Sequence, residues 1–184
     1  MEQMNQAYKV FTRICLNNWH YIDRKVLGLN ESINFFTGHS GSGKSTVIDA
    51  MQIVLYANTD GRGFFNKAAA DDSDRSLIEY LRGMINIGEN NQAEYKRNKN
   101  FSTTIVLEME QTITKEKECI GVVFDEETAT NEINRLFFWH KGELIPGDYR
   151  TKSRAMTISE VVSCHCSVVF QRLVLRISTI RRTS

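Results

Sequence analysis

FFTGHSGSGKST, residues 35–46, decides the fold, because it sets three glycines and three serines into the eight positions from Gly38 to Ser45. These eight residues fit the pattern G-x-x-x-x-G-K-[S/T] at every fixed position, and an apolar run follows them. Glycines at this spacing tolerate positive φ and let consecutive backbone N–H groups converge on an anion. A flexible Gly/Ser turn that merely caps a helix would need strand, spacing, lysine and helix to coincide by chance. The stretch therefore predicts a phosphate-binding loop (P-loop) for a nucleoside triphosphate.

The predicted contacts to the nucleotide fall on consecutive residues. Lys44 is placed to reach the β and γ phosphates, and the Ser45 hydroxyl to bind Mg²⁺. Thr46 lies in the first turn of the next helix, near the α phosphate, and this helix adds its positive N-terminal end. ATP and magnesium are the expected cofactors. The expected binding residues are Gly38, His39, Ser40, Gly41, Ser42, Gly43, Lys44, Ser45 and Thr46.

Hydrophobic periodicity gives the elements around this loop. Alternating apolar residues predict strands, and an apolar face with a polar stripe predicts the helix that follows Lys44. A Ser76-x-x-Glu79 capping pattern marks a second helix. The expected elements before residue 101 are a strand over 8–19, a strand over 31–38, a helix over 44–57, a loop over 57–73, a helix over 72–85 and an exposed, mobile connection over 86–100.

Three further strands are expected over 101–112, 117–125 and 134–144. The gaps between them are too short for helical crossovers, so they predict an antiparallel meander. Nucleotide kinases usually follow the P-loop with parallel βα units, whereas this arrangement suits an ABC-type head. The predicted fold is α/β: a P-loop NTPase of the ABC/SMC head type, in which an N-terminal lobe carries an antiparallel β-meander.

IGVVFDEE, residues 120–127, has the composition of a Walker B strand, with Asp125 for magnesium and Glu126 as catalytic base. A Walker B strand runs parallel to its neighbours, and parallel pairing needs a crossover of about a dozen residues or more. Only about four residues, Ile113 to Glu116, separate this strand from the one before it. A hairpin strand that ends in an acidic turn is the preferred interpretation, with Glu126 kept as a candidate base.

Composition is ordinary for a globular protein of 184 residues, with 41% hydrophobic and 24% charged residues. The apolar stretches are too short to span a membrane, and the polar N-terminus is not typical of a signal peptide. Four cysteines without signs of export suggest reduced thiols and a cytoplasmic location. The net charge of +1 hides a basic C-terminal segment that holds four arginines and no acid.

That segment sets the expected domain boundary. Residues 1–160 are expected to form the N-terminal lobe of an ATPase head, and residues 161–184 an atypical tail. Thirteen of the 24 residues from Val161 are Val, Ser or Arg. This composition fits a genuine terminal strand, and it also fits a truncated or frame-shifted chain.

The chain resembles a known family in four stretches: LNNWHYID (16–23), the P-loop with its helix, GRGFFNKAA (61–69) and SDRSLIEYLRG (73–83). They are similar to the N-terminal half-head of MukB-like SMC ATPases, members of the SbcC-like ABC ATPase superfamily. The strongest similarity is to the SMC subunit of Wadjet-type bacterial anti-plasmid systems. The P-loop is common to the superfamily, so the other stretches carry the finer assignment.

The resemblance implies a head built from both ends of a long chain, with ATP held between two heads and hydrolysis coupled to DNA handling. The implied partners are a second ATPase head, DNA and accessory subunits, with no membrane. The chain departs from that pattern, because it has no coiled-coil heptads, no hinge and no LSGG-type signature. The resemblance also places Arg62 near where related heads carry an arginine that contacts DNA or the site. Arg75 is the alternative, and either arginine can instead pair with Asp60 or Asp71.

Other candidates are weaker. Asn17, Asn18 and Trp19 lie where related heads approach the adenine, although Trp19 also suits a core. Gln52 suits the polar face of a helix better than a Q-loop, and Gln171 has a better position in the atypical tail. Cys164-His165-Cys166 is too tightly spaced for a usual zinc pair. Two other functions stay open: a self-contained P-loop phosphotransferase with Asp125 as its metal residue, and an inactive nucleotide-binding remnant.

Overall fold

Strands with alternating buried side chains build the centre of the molecule. The computed structural model describes residues 7–56, 77–87, 93–165 and 170–172. In chain order the elements are β1 (Lys9–Trp19), β2 (Ile22–Gly28), α1 (Lys44–Tyr56), α2 (Leu77–Arg82), β3 (Met84–Ile87), β4 (Ala93–Tyr95), β5 (Phe101–Gln111), β6 (Lys117–Glu127), β7 (Glu132–Lys141), a 3₁₀ turn (Pro146–Asp148), α3 (Ile158–Cys164) and β8 (Phe170–Arg172).

The main sheet is antiparallel throughout the described residues, in the order β2-β1-β5-β6-β7-β8. Strands β5, β6 and β7 form the predicted meander, and β3 pairs with β4 in a separate ribbon. The predicted α/β class, with a P-loop and an antiparallel meander, is confirmed. No helix of the described part is long and apolar enough to cross a bilayer.

A hydrophobic core covers each face of the main sheet. On one face, Ile14 and Ile105 of the sheet pack in one cluster with Ala50 of α1 and Leu81 of α2. On the other face, the strand residues that lie one position further along than those of the first cluster pack against residues 142–165. Successive residues of a strand point to opposite faces, so this alternation assigns each strand residue to one core. The P-loop helix therefore lies on the first face and α3 on the second.

Glu108, on the second face of the sheet, accepts hydrogen bonds from residues next to a β-bulge in β1. The pairing of β1 with β5 shifts between Phe11 and Arg13. Thr12 Oγ1 and Arg13 Nε then both donate to Glu108 Oε1, at 2.6 and 2.8 Å, and the Leu144 N–H donates to Oε2 at 2.7 Å. Burial alone would raise the pKa of Glu108, but these hydrogen bonds outweigh it and lower the pKa to about 2.

The expectation of a strand over 31–38 is wrong. Residues 33–38 are irregular, and the second strand is β2, at Ile22–Gly28. Residues 31–38 have the apolar composition of a strand but no strand pairs with them in the described part of the chain. The sequence does not predict β2, because this edge strand has mostly exposed side chains and therefore lacks apolar alternation.

The predicted helix over 72–85 ends early, and the predicted mobile connection over 86–100 is partly wrong. Helix α2 stops at Arg82 because Gly83 has a φ of 68°, and a Cβ there would lie 2.6 Å from the His20 carbonyl oxygen. The chain then forms the β3–β4 ribbon. Arg97 is buried beyond it and donates to the carbonyl oxygens of His20 and Leu81.

The expected boundary at residue 160 lies inside α3. Thr157 and Glu160 form a reciprocal capping box at the start of this helix. Val161 and His165, which follow the boundary, are buried in the second-face region. The predicted 57–73 loop, Arg62, Arg75 and Cys166 lie outside the described residues.

Candidate nucleotide-binding site

The P-loop has the backbone that its glycines predict. Gly38, Gly41 and Gly43 have φ of 148°, 78° and 92°, values that L-residues with a Cβ rarely adopt. Helix α1 begins directly after them, and the Val47 N–H donates to the Gly43 carbonyl at 3.1 Å. The predicted helix over 44–57 is confirmed from Lys44 to Tyr56, and residue 57 lies outside the described residues. All nine predicted binding residues lie in this loop and the first turn of α1.

Lys44 crosses the loop that precedes it. Its Nζ donates to the carbonyl oxygens of Gly38 and His39 at 2.7 and 2.8 Å, and to Ser42 Oγ at 3.2 Å. The ammonium group thus lies within hydrogen-bond reach of both ends of the loop, where its charge is available to an anion. Ser45 and Thr46 occupy the first turn of α1.

Tyr21 contacts the loop from the β1–β2 turn, and sequence analysis did not find it. Its hydroxyl donates to the Gly41 carbonyl at 3.4 Å and accepts from Thr46 Oγ1 at 3.5 Å. A Cβ on Gly43 would lie 2.6 Å from this hydroxyl. A glycine is therefore favoured at position 43 for two reasons: the backbone has a positive φ, and an aromatic side chain lies too close for a Cβ. Nothing in the local sequence marks Tyr21, because its contact depends on how β2 turns back.

Two buried hydrogen bonds fix α1 to its surroundings. The Trp19 indole N–H donates to the Thr46 carbonyl at 2.7 Å, and the Tyr80 hydroxyl donates to Asp49 Oδ2 at 2.8 Å. Asp49 is buried although it carries a carboxylate. Burial raises the pKa of Tyr80, and the neighbouring Asp49 carboxylate raises it further. Trp19 is fully buried, so the core interpretation of this residue is the one the structure supports.

Glu126 is buried beside α2. Its Oε1 accepts from Arg82 Nε at 2.8 Å, and Arg82 also donates to the Thr128 carbonyl and to Asn131 Oδ1. Burial raises the pKa of Glu126, while Arg82 opposes that shift. The strand that carries Glu126 is antiparallel to both neighbours, as the hairpin interpretation predicted.

Asp125 points to the other face of the sheet from Glu126. It accepts hydrogen bonds from Ser102 Oγ at 2.8 Å and from the Ile158 N–H at 3.0 Å. Asp125 thereby satisfies a free N–H at the start of α3. The structure does not bring Asp125 and Glu126 together on the face that carries α1.

The weaker candidates occupy separate places. Asn18 donates to the Ser102 carbonyl at 2.9 Å, and Gln52 is half-buried in α1. Cys164 is exposed whereas His165 is buried. Gln171 lies in β8. Across the described ranges, no three His, Cys, Asp or Glu side chains are grouped so that they could hold a metal ion.

One of three comparisons with known proteins, the comparison with family models, matches the stretch that carries the loop. Residues 11–72 match the family described as the P-loop containing region of the AAA domain. The matched residues include the P-loop, from Gly38 to Ser45. A search of solved structures found similarity to a structure from work on the ATP-driven dimerisation and DNA-stimulated activation of SMC ATPases. The identity is 13% and the TM-score 0.43, over 86% of this chain and 78% of the other. The comparison with curated proteins found no match.

Proposed function

We propose that the chain is the ATP-binding half-head of an SMC-like ATPase, which couples ATP binding and hydrolysis to DNA handling. The observation that carries this proposal is a P-loop with three positive-φ glycines and a lysine across it, next to an antiparallel lobe. Chromosome or plasmid maintenance and anti-plasmid defence are the processes we assign to it, in the cytoplasm. The resemblance to MukB-like and Wadjet-type proteins supports the finer part of this assignment.

The residues present fit ATP and magnesium. The glycine-shaped loop leaves its backbone open to phosphate oxygens, and the Lys44 ammonium can exchange carbonyl oxygens for more strongly attracting phosphate oxygens. We assign the amides from Gly41 to Thr46 to the phosphates and the Ser45 hydroxyl to Mg²⁺. Outside the described residues, Arg62 is our candidate for a contact to DNA or to the site.

Exposed apolar side chains support a partner lobe. Ile33 and Phe35, just before the P-loop, are 62% and 83% exposed, and Ile48 and Leu55 on the outer side of α1 are 42% and 45% exposed. Large exposed apolar patches mark interaction surfaces. We propose that residues 1–160 form one lobe, that the C-terminal half of the head covers these side chains, and that a second head, DNA and accessory subunits complete the complex.

A self-contained phosphotransferase is less well supported. That alternative needs Asp125 as a metal residue and β5 and β6 within a parallel P-loop sheet. Asp125 instead binds the N-terminal turn of α3, and β5 and β6 pair antiparallel in a sheet that does not include residues 33–37. An inactive nucleotide-binding remnant would have the same geometry. ATPase activity in the assembled complex distinguishes the half-head from such a remnant.

Titration of the purified chain with Mg-ATP tests the proposal. Lys44→Ala removes a charge-assisted contact of about 1.5–3 kcal/mol, so affinity should fall roughly ten- to hundredfold while the fold survives. Lys99→Ala, which removes an exposed lysine before β5, is the matched control and should bind as the wild type does. Equal affinities for the wild type and Lys44→Ala would remove Lys44 from the site and contradict the proposal.

A further inference from the structure

The two residues that follow β4, Lys96 and Arg97, hold the turn between β1 and β2. Arg97 donates to the His20 carbonyl oxygen through Nη1 and to the Ile22 carbonyl oxygen through Nη2, the latter at 3.4 Å. Lys96 Nζ donates to the Tyr21 carbonyl oxygen at 2.9 Å. Two neighbouring side chains thus bind three successive carbonyl oxygens of the turn, and we call Lys96 and Arg97 the turn clamp.

The backbone of this turn is unfavourable without such support. Asn18 and His20 have φ of 56° and 50°, in the left-handed region that residues with a Cβ uncommonly adopt. Asp23, at the start of β2, accepts from Lys96 at 2.8 Å and from Arg97 at 3.1 Å, which balances the charge of the clamp. Arg97 is buried, so its hydrogen bonds are shielded from water. The conformation of the turn therefore depends on the clamp.

The turn clamp is itself fixed to the end of α2. The backbone N–H groups of Lys96 and Arg97 donate to the carbonyl oxygens of Gly83 and Arg82 at 3.0 and 3.1 Å. Arg97 Nη1 also donates to the Leu81 carbonyl oxygen at 3.1 Å. A Cβ on Gly83 would lie 3.2 Å from the same Nη1 atom, so a glycine there allows the close approach. The clamp thus joins the β1–β2 turn to a buried helix.

Tyr21 lies between the two carbonyl groups that Arg97 binds, and its hydroxyl contacts the P-loop at Gly41 and the first turn of α1 at Thr46. We propose that the turn clamp positions the nucleotide site: it holds Tyr21 against the P-loop and so keeps the loop ready to receive phosphates. The inference rests on the proposed function, since it needs a nucleotide on the P-loop. A loop that is ordered before binding loses less entropy on binding. Lys96 and Arg97 therefore act as positioning residues, through Tyr21.

The variants Lys96→Ala and Lys99→Ala test the clamp by calorimetric titration with Mg-ATP. Both lysines are exposed in the same short stretch, so a general attraction between their charges and the phosphates affects them alike. Lys96→Ala should weaken binding by about threefold or more, and Lys99→Ala by less than about twofold, because Lys96 holds the Tyr21 carbonyl. Equal affinities of the two variants would overturn the inference.

The variant Arg97→Lys separates the hold on the turn from charge alone. It keeps the positive charge, but one ammonium nitrogen cannot replace a planar guanidinium that reaches several carbonyl groups. Arg97→Lys should therefore weaken Mg-ATP binding by about threefold or more, as Arg97→Gln does. Wild-type affinity in Arg97→Lys would contradict the inference. Thermal melts show that each variant is folded, and the lysine pair tests the clamp if Arg97 cannot be replaced.

A second background, Tyr21→Ala, shows whether the clamp acts through Tyr21. In that background Lys96→Ala should change Mg-ATP affinity by less than about twofold, because the side chain that the clamp positions is gone. The same loss in both backgrounds would mean that the clamp supports the fold alone, and would overturn the inference. Failure of the wild-type chain to bind Mg-ATP would instead refute the proposed function, and this inference with it.

Discussion

The indole N–H of Trp19, at the end of β1, donates to the carbonyl oxygen of Thr46, in the first turn of α1, across 2.7 Å. This bond joins the sheet to the residue that follows the lysine and serine of the P-loop. Both groups are buried, so water cannot replace the donor if it is removed. The position of the P-loop helix thus depends on a residue that lies 27 positions before Thr46 in the chain.

Trp19→Phe should destabilise the fold by about 1–3 kcal/mol, because it deletes this buried donor and leaves a small void. The free energy of unfolding, from urea titration followed by circular dichroism, measures the effect. Trp139→Phe on β7, where the tryptophan is half-buried, is the matched control and should cost less. A Trp19→Phe chain as stable as the wild type would show that the bond contributes nothing to the placement of α1.

Gly43→Ala should weaken both stability and nucleotide binding more than Gly41→Ala. Each substitution forces a Cβ into a positive-φ residue, at about 1–2 kcal/mol. Only the Cβ of Gly43 also meets the Tyr21 hydroxyl, since nothing lies within 4 Å of a Cβ on Gly41. Thermal melts and Mg-ATP titrations of both variants check this order.

Adding Tyr21→Phe provides the control for that comparison. Removal of the hydroxyl should recover part of the loss in Gly43→Ala and none of the loss in Gly41→Ala. If the two glycine variants respond alike to Tyr21→Phe, the close approach of Tyr21 is not what restricts residue 43.

Glu108→Gln should destabilise the protein in a pH-dependent way. The folded pKa of about 2 lies below the ordinary 4.5, so the charged carboxylate stabilises the fold fully above pH 4.5. That stabilisation, of about 3 kcal/mol from the shift, is lost as the pH falls from 4.5 towards 2. The difference in unfolding free energy between wild type and Glu108→Gln should therefore be large at pH 7 and shrink towards pH 2.

Glu116→Gln, in the exposed turn between β5 and β6, is the control for this experiment and should show little difference at any pH. A difference for Glu108→Gln that stays constant from pH 7 to pH 2 would mean that its charge is not what holds Arg13, Thr12 and residue 144 together.

The purified chain alone should bind ATP without hydrolysing it at an enzymatic rate. Hydrolysis needs an oriented water and charge stabilisation at the γ phosphate, and positioning supplies nearly all of the catalysis. Lys44 and the loop amides offer a phosphate cradle, whereas Glu126 is paired with Arg82. A steady-state ATPase assay of wild type, Glu126→Gln and Lys44→Ala measures this. Robust turnover that both substitutions abolish would instead make residues 120–127 a working Walker B strand.

Sequence patterns predicted those elements whose residues carry their own signal. Helix α1 and strands β5 to β7 were found because apolar periodicity marks them, and the P-loop because its motif is short and continuous. Edge strand β2 gave no such signal, since its side chains are mostly exposed. The contacts of Tyr21, Arg97 and Glu126 join distant parts of the chain, so they depend on the fold itself and no local pattern reveals them.

Strand order in the main sheet has a consequence for synthesis. Strand β1 lies between β2 and β5, and Ile14 pairs with Leu107 of a strand made much later. Ribosomes add about 5–20 residues per second. An interval on the order of 10 s therefore separates the synthesis of β1 from that of β5, its second neighbour in the sheet. The β1–β2 hairpin must keep its apolar face from aggregating throughout that interval, and the emerging chain is a natural client for chaperones that bind nascent hydrophobic strands.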